Sequence, residues 1–521
     1  MATKAKKTKA KSAKSKSKKA KPTKAKSAKS KPSHAGAAKA VKAKAKPMAD
    51  VDFRTLEGGK KTIAAAAIEA LSAGLRGKVV DQSAANYDEA RTIWNAMIDR
   101  RPGLIVRCVG AADVIHSVRF ARDNGLLVAV RGGGHNIGGS AVCDGGLVID
   151  LSQMKSVRVD PATKRAWVEP GATLADVDKE TQAFGLAVPT GINSTTGMAG
   201  LTLGGGFGWI TRKFGLTIDN LLSADVVTAD GKLVRANAKE NPDLFWALRG
   251  GGGNFGVVTA FEFQLHQLGP QVLAGLVVHP FEHAEALLKD YRRIIASAPD
   301  ELTCWVVMRK APPLPFLPAA WHGKEILVLA MCYSGDIKAG EKATAELRAL
   351  GKPIADVVGP APFAAWQQAF DPLLTPGARN YWKSHDFTQL SDGAITLLLD
   401  AVHHLPGPEC EIFIGHVGGA AGRVALDATA FPQRNAHFVM NVHARWRETS
   451  MDKTCISWAR KLFDAAAPHA TGTAYVNFMP GDEADRVEAA YGANYGRLTQ
   501  VKRRYDPSNL FRINQNVRPA E

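Results

Sequence analysis

A single histidine stands inside a run of glycines, Arg131-Gly132-Gly133-Gly134-His135-Asn136-Ile137-Gly138. Glycines let backbone N–H groups crowd around an anion, and Arg131 adds a fixed positive charge. A nucleotide pyrophosphate suits such a loop, which would set the His135 imidazole beside the nucleotide's ring system. A hydrogen-bonding loop histidine is the plainer reading of one motif, so two further glycine-rich segments bear on the choice. Residues 189–208 alternate glycines with hydroxyls and carry no charge. That composition favours close approach to a large polar ligand. Gly251, Gly253 and Gly256 match G-x-G-x-x-G literally. A dinucleotide fingerprint needs a strand before it and a helix after it. Here a helix ending near Arg249 precedes, and a β-branched strand from Val257 follows. A Rossmann NAD site is therefore excluded.

Near the end of the chain, residues 437–446 alternate cleanly. His437, Asn441, His443 and Arg445 fall on one face, with Phe438, Met440, Val442, Ala444 and Trp446 on the other. The polar face either lines a cavity or meets solvent. The six cysteines, Cys108, Cys143, Cys304, Cys332, Cys410 and Cys455, are scattered without C-x-x-C spacing. They read as reduced, buried thiols of a cytoplasmic protein, and no metal site is expected.

The elements that must position these residues are legible in outline. Residues 60–100 read as helical, with 63–73 rich in Ala, Leu and Ile and 87–99 mixing charged and apolar groups. From Pro102 strands and helices alternate: a strand over 105–109, a helix over Ala111–Asn124 stopped by Gly125, and a strand over 126–130 feeding the His135 loop. Further strands are expected at 146–150, 156–160, Arg165–Val168, 224–227 and 257–265. After about residue 267 the glycines thin out. Strands are then expected at 272–278, 302–308, 325–332, Glu411–His416 and 437–446, with helices at 337–350 and 391–401.

The formal net charge of +18 has one source. Residues 1–49 hold 18 lysines and no Asp, Glu or Arg, which leaves 49 basic and 49 acidic residues in the rest. This Lys/Ala-rich tail cannot bury enough surface to offset its ordering entropy and is expected to be disordered. Nucleic acid or another polyanion is its chemically natural partner. No apolar run approaches a membrane span, and a secretory signal is not expected.

Taken together, the 131–150, 190–220 and 241–259 segments and the end blocks 475–478 and 505–516 resemble the FAD-binding domain of the p-cresol methylhydroxylase/vanillyl-alcohol oxidase superfamily. Within it they resemble the berberine-bridge-enzyme-like branch. The resemblance runs from about Tyr87 to Val517 and is weakest in the middle. It implies an α+β fold: a PCMH-type FAD-binding domain of two α+β subdomains over 60–266 (core 101–266). It also implies a substrate domain over 267–470, an antiparallel sheet flanked by helices, and a 471–521 segment returning to the FAD domain.

The resemblance further implies an oxidoreductase with FAD bound covalently through His135 alone, because Asn193 stands where many relatives carry a second, cysteinyl link. Cys143 falls at the wrong place to substitute for it. FAD contacts are implied for Arg131, Gly132, Gly133, Gly134, His135, Asn136, Ile137 and Gly138. They are implied as well for Thr190, Gly191, Thr195, Thr196, Gly197, Gly200, Gly204, Gly205 and Gly208, for Gly256 and Val258, and for Tyr475, Asn477 and Asn514. Tyr475 is the expected proton acceptor, once a cationic or polarising neighbour lowers its pKa, with His443 and Asn441 facing the substrate. The usual second tyrosine of the end block is Phe478 here. Thr196, valine-like in shape at the oxygen-gating position, favours an oxidase. The implied reaction removes a hydride from a C–H beside a hydroxyl or amine of a small molecule, a sugar, alkaloid or secondary metabolite, and passes electrons to O2, giving H2O2. A flavin dehydrogenase with another acceptor, or a polyanion-associated protein acting through its tail, are the alternatives.

Overall fold

The helix expected over 111–124 forms as Ala111–Asn124 and ends on Gly125, whose left-handed φ of 63° closes it. At its start Asp113 accepts backbone N–H bonds from Arg76, Gly77 and Val109, tying three turns together. This helix is the crossover of a parallel pair. The computed structural model describes residues 48–521, so all but the last two residues of the lysine-rich segment lie outside the described residues.

Three sheets carry the site. The first has four strands in the order Lys78–Asp81, Leu104–Arg107, Leu147–Asp150, Val128–Arg131, with the last two pairings parallel. The His135 loop leaves the carboxyl end of the parallel edge strand, where open α/β sheets bind their ligands. The second sheet is antiparallel, in the order Leu233–Asn237, Leu221–Val227, Val257–Gln264, Arg165–Val168, Val157–Asp160. The third has eight antiparallel strands. Its main path runs Ala355–Asp356, Gln271–Pro280, Glu325–Tyr333, Leu302–Lys310, Glu411–His416, Phe438–Trp446, Arg379–Phe387. One face of it is covered by helices Ala284–Ile295, Asp392–His403 and Asp452–Ala466, which bury Met308, Leu329, Ile412, Met440 and Val442 in the largest apolar cluster. The fold is α+β.

The chain's end packs back on the second sheet. Val476, Met479, Tyr491, Leu498 and Val517 share a core with Phe261 and Phe263. Lys502, fully buried, donates to Asp506, to Asn254 O and to Phe511 O, and so fastens the last helix to the 250–256 glycine turn and to the chain's final segment.

The helical reading of 60–100 holds for Ala65–Ala73 and is corrected around it. Lys60–Ile63 and Lys78–Asp81 are strands, and helix Tyr87–Arg91 stops after five residues. Beyond it the backbone is claimed by distant partners: Trp94 N donates to Gly134 O, Ala96 N to Ala378 O, and the Asn95 side chain to Ile137 O and Asn380 O. Tertiary hydrogen bonds outweigh local propensity there. Strand Arg379–Phe387 was not expected at all.

Candidate active site

One cavity of about 380 Å³ runs from the glycine loops to the uncovered face of the eight-stranded sheet. Its glycine end is walled by 132–136, by Thr196, Gly197 and Gly200, by 252–258 and by 513–515. The loops meet backbone to backbone. A Cβ on Gly133 would lie 2.5 Å from Gly197 N and Cα, so neither position admits a side chain. Gly200 and Gly253 face open space, with no protein atom within 4 Å of a Cβ.

Of the residues singled out in the sequence, Gly132, Gly133, Gly134, His135, Asn136, Gly191, Thr196, Gly197, Gly200, Gly256, Val258, Asn441, His443, Tyr475, Asn477 and Asn514 line this cavity. The others stand behind it. Arg131 turns its guanidinium away, donating to Ala90 O and packing against Gly134, so it braces the loop without presenting charge to a ligand. Thr190 is buried and accepts from Gln367. Gly204, Gly205 and Gly208 admit close packing: a Cβ there would strike Asn477, Phe431 and Thr190 respectively. Ile137 and Gly138 are buried beneath the loop, Gly138 against Gly481. Thr195 Oγ1 lies 3.4 Å from His135 Nε2.

His135 stacks on Trp94 at 4.3 Å with 23° between the rings, and Arg445 sits over the other ring of the pair, 5.4 Å from the Trp94 centroid. Burial drives the His135 pKa down to about 3, so the ring is neutral at neutral pH. Cys143 is buried, off the cavity, with its thiol pushed up to about 12 by burial. Among the described residues, no cysteine lines the cavity.

The sheet end holds a chain of charges that the sequence reading missed. Glu411 accepts from Arg309 at 2.5 Å and pairs with His443 Nδ1 at 3.2 Å. Register explains the meeting: Glu411 lies directly across from His443, and Arg309 directly across from Glu411. Burial works against ionising Glu411, but Arg309, His443 and Arg445 outweigh it and hold its carboxyl at about 2. Burial also lowers the His443 pKa, with Glu411 pulling the other way. His443 Nε2 faces Asn380 Oδ1 at 3.3 Å, and its ring meets Trp382 edge-on at 4.6 Å. Arg309 lay one residue beyond the expected strand, and Asn380 and Trp382 lie on the unexpected one. A charged residue placed in phase with the alternation of its strand was the available signal for Arg309 and Glu411.

Tyr475 does not meet the condition set for a base. Its hydroxyl accepts from Gly206 N at 3.1 Å and from Asn477 Nδ2 at 2.9 Å, but burial pushes its pKa up to about 12 and no cation touches it.

FAD fits these walls by shape and donor set. The glycine end offers backbone and open space for a large flat ligand. Asn514 Oδ1 is buried there without a hydrogen-bond partner, as is Asn441 Oδ1 at the sheet end. Comparison with known proteins agrees. Residues 102–237 match the FAD binding domain family and residues 474–518 the berberine and berberine-like family. An FAD-linked oxidoreductase of Dictyostelium discoideum is 32% identical over 434 residues, covering 82% of this chain and 91% of that one. The (R)-6-hydroxynicotine oxidase of Paenarthrobacter nicotinovorans is 32% identical over 470 residues, covering 85% and 97%. In structure, 6-hydroxy-D-nicotine oxidase from Arthrobacter nicotinovorans superposes with a TM-score of 0.78 at 30% identity, covering 86% of this chain and 98% of that one. The BBE-like 1 protein of Physcomitrella patens gives 0.79 at 25%, covering 87% and 99%. Among the described residues, no helix is long and apolar enough to cross a membrane. The chain belongs to the FAD-linked oxidoreductases that join a PCMH-type FAD-binding domain to a berberine-bridge-like end segment.

Proposed function

We propose that this enzyme is an oxidase whose FAD is joined covalently to His135 and to no other residue. It acts on a small molecule at a C–H next to a hydroxyl or amine. The observation that carries the reading is the continuity of one cavity from His135 to the Arg309–Glu411–His443 chain. The neutral His135 ring and the lack of a cavity thiol among the described residues support the single link. A flavin held in this cavity would supply the two-electron acceptor, with O2 as the reoxidant and H2O2 as the product.

The chain's own residues do the rest. Glu411, kept ionised by Arg309, accepts the Nδ1–H hydrogen bond of His443 and so fixes its tautomer. His443 Nε2, unprotonated and facing Asn380 Oδ1, then accepts the proton that leaves the substrate heteroatom, and Asn441 orients that heteroatom. Tyr475 closes the wall and, through its bonds to Gly206 and Asn477, ties the end block to the 189–208 glycine-rich segment. The related (R)-6-hydroxynicotine oxidase is named for an oxidase reaction, and the valine-like size of Thr196 in the cavity wall supports O2 as the electron acceptor.

The reading extends to surroundings. Six buried free thiols fit the cytoplasm, and the lysines of 1–49 fit a nucleic acid or other polyanion. The test is acid precipitation of the holoprotein. A pellet that stays yellow and fluorescent, with the flavin on the His135 peptide, is expected; His135→Ala should release all colour to the supernatant. Substrate reduction without O2 followed by air separates an oxidase, which recolours at once, from a dehydrogenase, which stays bleached.

A further inference from the structure

His135 is held from two directions. One support is Trp94, whose indole covers a face of the imidazole, with ring centres 4.3 Å apart and planes 23° from parallel. The indole is itself pinned: Trp94 N donates to Gly134 O at 3.1 Å, and Nε1 donates to Leu374 O at 3.1 Å. Trp94 is 5% exposed and lines the cavity beside His135. A flat ring laid on such a plate cannot tip out of its plane.

The other support is the pair Asn193 and Thr195. Thr195 N and Thr195 Oγ1 both donate to Asn193 Oδ1, at 3.2 and 2.7 Å. A backbone N–H can only donate, so the Asn193 amide must present its oxygen there. A hydroxyl has one proton, and Thr195 has given it to Asn193. Toward His135 Nε2, 3.4 Å away, Thr195 Oγ1 can therefore only accept. The neutral imidazole carries one N–H, which this contact draws to Nε2, and Nδ1 is left with the lone pair.

From this we infer, resting on the single histidyl link proposed above, that Trp94 and Asn193 are positioning residues for flavin attachment. Trp94 sets the plane of His135, and Asn193, acting through Thr195, makes Nδ1 the nitrogen that forms the bond. Attachment exchanges one C–H of the flavin's 8α-methyl group for a C–Nδ1 bond. The methyl proton and the Nε2 proton leave. The electron pair of the broken C–H bond passes through the flavin to O2, which takes up both protons as H2O2. Positive charge grows on the imidazole as the bond forms, and the Nε2–H bond to Thr195 strengthens with it.

The measurement is the share of flavin that stays with the protein in acid, followed in time as each freshly expressed chain is incubated in air with FAD, beside total bound flavin. Trp94→Leu should still bind flavin but attach it about 100-fold more slowly, whereas Trp94→Phe, which keeps a plate, should attach it at close to the normal rate. Asn193→Leu and Thr195→Val should each slow attachment about tenfold. The double variant should be no slower than either, because Asn193 acts through Thr195. Thr195→Ser should keep the normal rate. In the unaltered chain, NMR of the flavin-bearing peptide should show the bond at Nδ1. A bond at Nε2, undiminished attachment in Trp94→Leu, or losses that multiply in the double variant overturns the inference. Should a variant lose flavin and fold together, the bonded nitrogen of the unaltered chain still decides. If the unaltered chain releases all its flavin in acid, the preceding reading fails, and the 15N shifts of its His135 ring decide this one: a proton on Nδ1 overturns it.

Discussion

His443 has a hydrogen-bond acceptor on each side of its ring, Glu411 at Nδ1 and Asn380 Oδ1 at Nε2. The Asn380 amide is not free to flip, because its Nδ2 donates to Ala378 O and Arg445 points at its oxygen. A neutral imidazole can donate to only one acceptor, and ionised Glu411 takes that bond. Nε2 therefore faces a lone pair until it takes up a proton, which then finds its acceptor ready. The proposed base is accordingly His443 and not Tyr475, whose pKa near 12 leaves no phenolate at neutral pH. His443→Ala should lower kcat by about 10²–10⁴-fold, and Tyr475→Phe by less than about tenfold. The pH profile carries the sign. Only neutral His443 accepts a proton, so kcat/KM falls on the acid side, with a midpoint below the ordinary 6.5 because burial lowers this pKa. Glu411 pulls the pKa upward, so Glu411→Gln should move that acid limb to still lower pH while lowering the plateau. A limb that stays put, or moves up, removes Glu411 from the role.

At the scale of elements, the site depends on two loops that touch without side chains between them. Gly133→Ala would drive a Cβ into the Gly197 backbone, and overpacking of this kind typically costs about 1–3 kcal/mol. The strain falls on the loop that carries His135, so the variant should lose flavin content well before it loses secondary structure. Equal loss of circular dichroism and of colour would show that the crossing matters to folding and not to the cofactor. These loops were legible in the sequence because glycine runs and missing charges are local signals. So was the helix Ala111–Asn124, whose Asp113 and Gly125 mark both ends. The edge strand Arg379–Phe387 was not, for a physical reason. Its Asn380, Lys383, Ser384, His385 and Asp386 are all buried, so no apolar alternation marks a face. Their partners come from far along the chain: Lys383 pairs with Glu483 at 2.6 Å, and His385 Nε2 bonds Phe463 O at 3.0 Å. Trp94 was hidden in the same way, inside a segment that reads as helix but whose backbone is bonded to Gly134 and Ala378.

For the whole molecule, charge divides cleanly along the chain. Residues 1–49 hold the entire excess of +18, and the remainder is balanced. An uncharged substrate would offer nothing for that field to steer, and salt at physiological strength screens it over about 8 Å. Polyanion binding should therefore respond to salt and turnover should not. The full chain should bind DNA or polyphosphate at low salt, with log affinity falling linearly in log salt and a slope set by the phosphates neutralised. Over the same range kcat/KM for a neutral alcohol should stay flat, with or without the polyanion. A chain lacking residues 1–47 should lose the binding and keep both its thermal midpoint and its turnover. If turnover fell with the lysines, or rose as salt was removed, the charge would be acting on catalysis, and the substrate would have to be an anion drawn in by the tail.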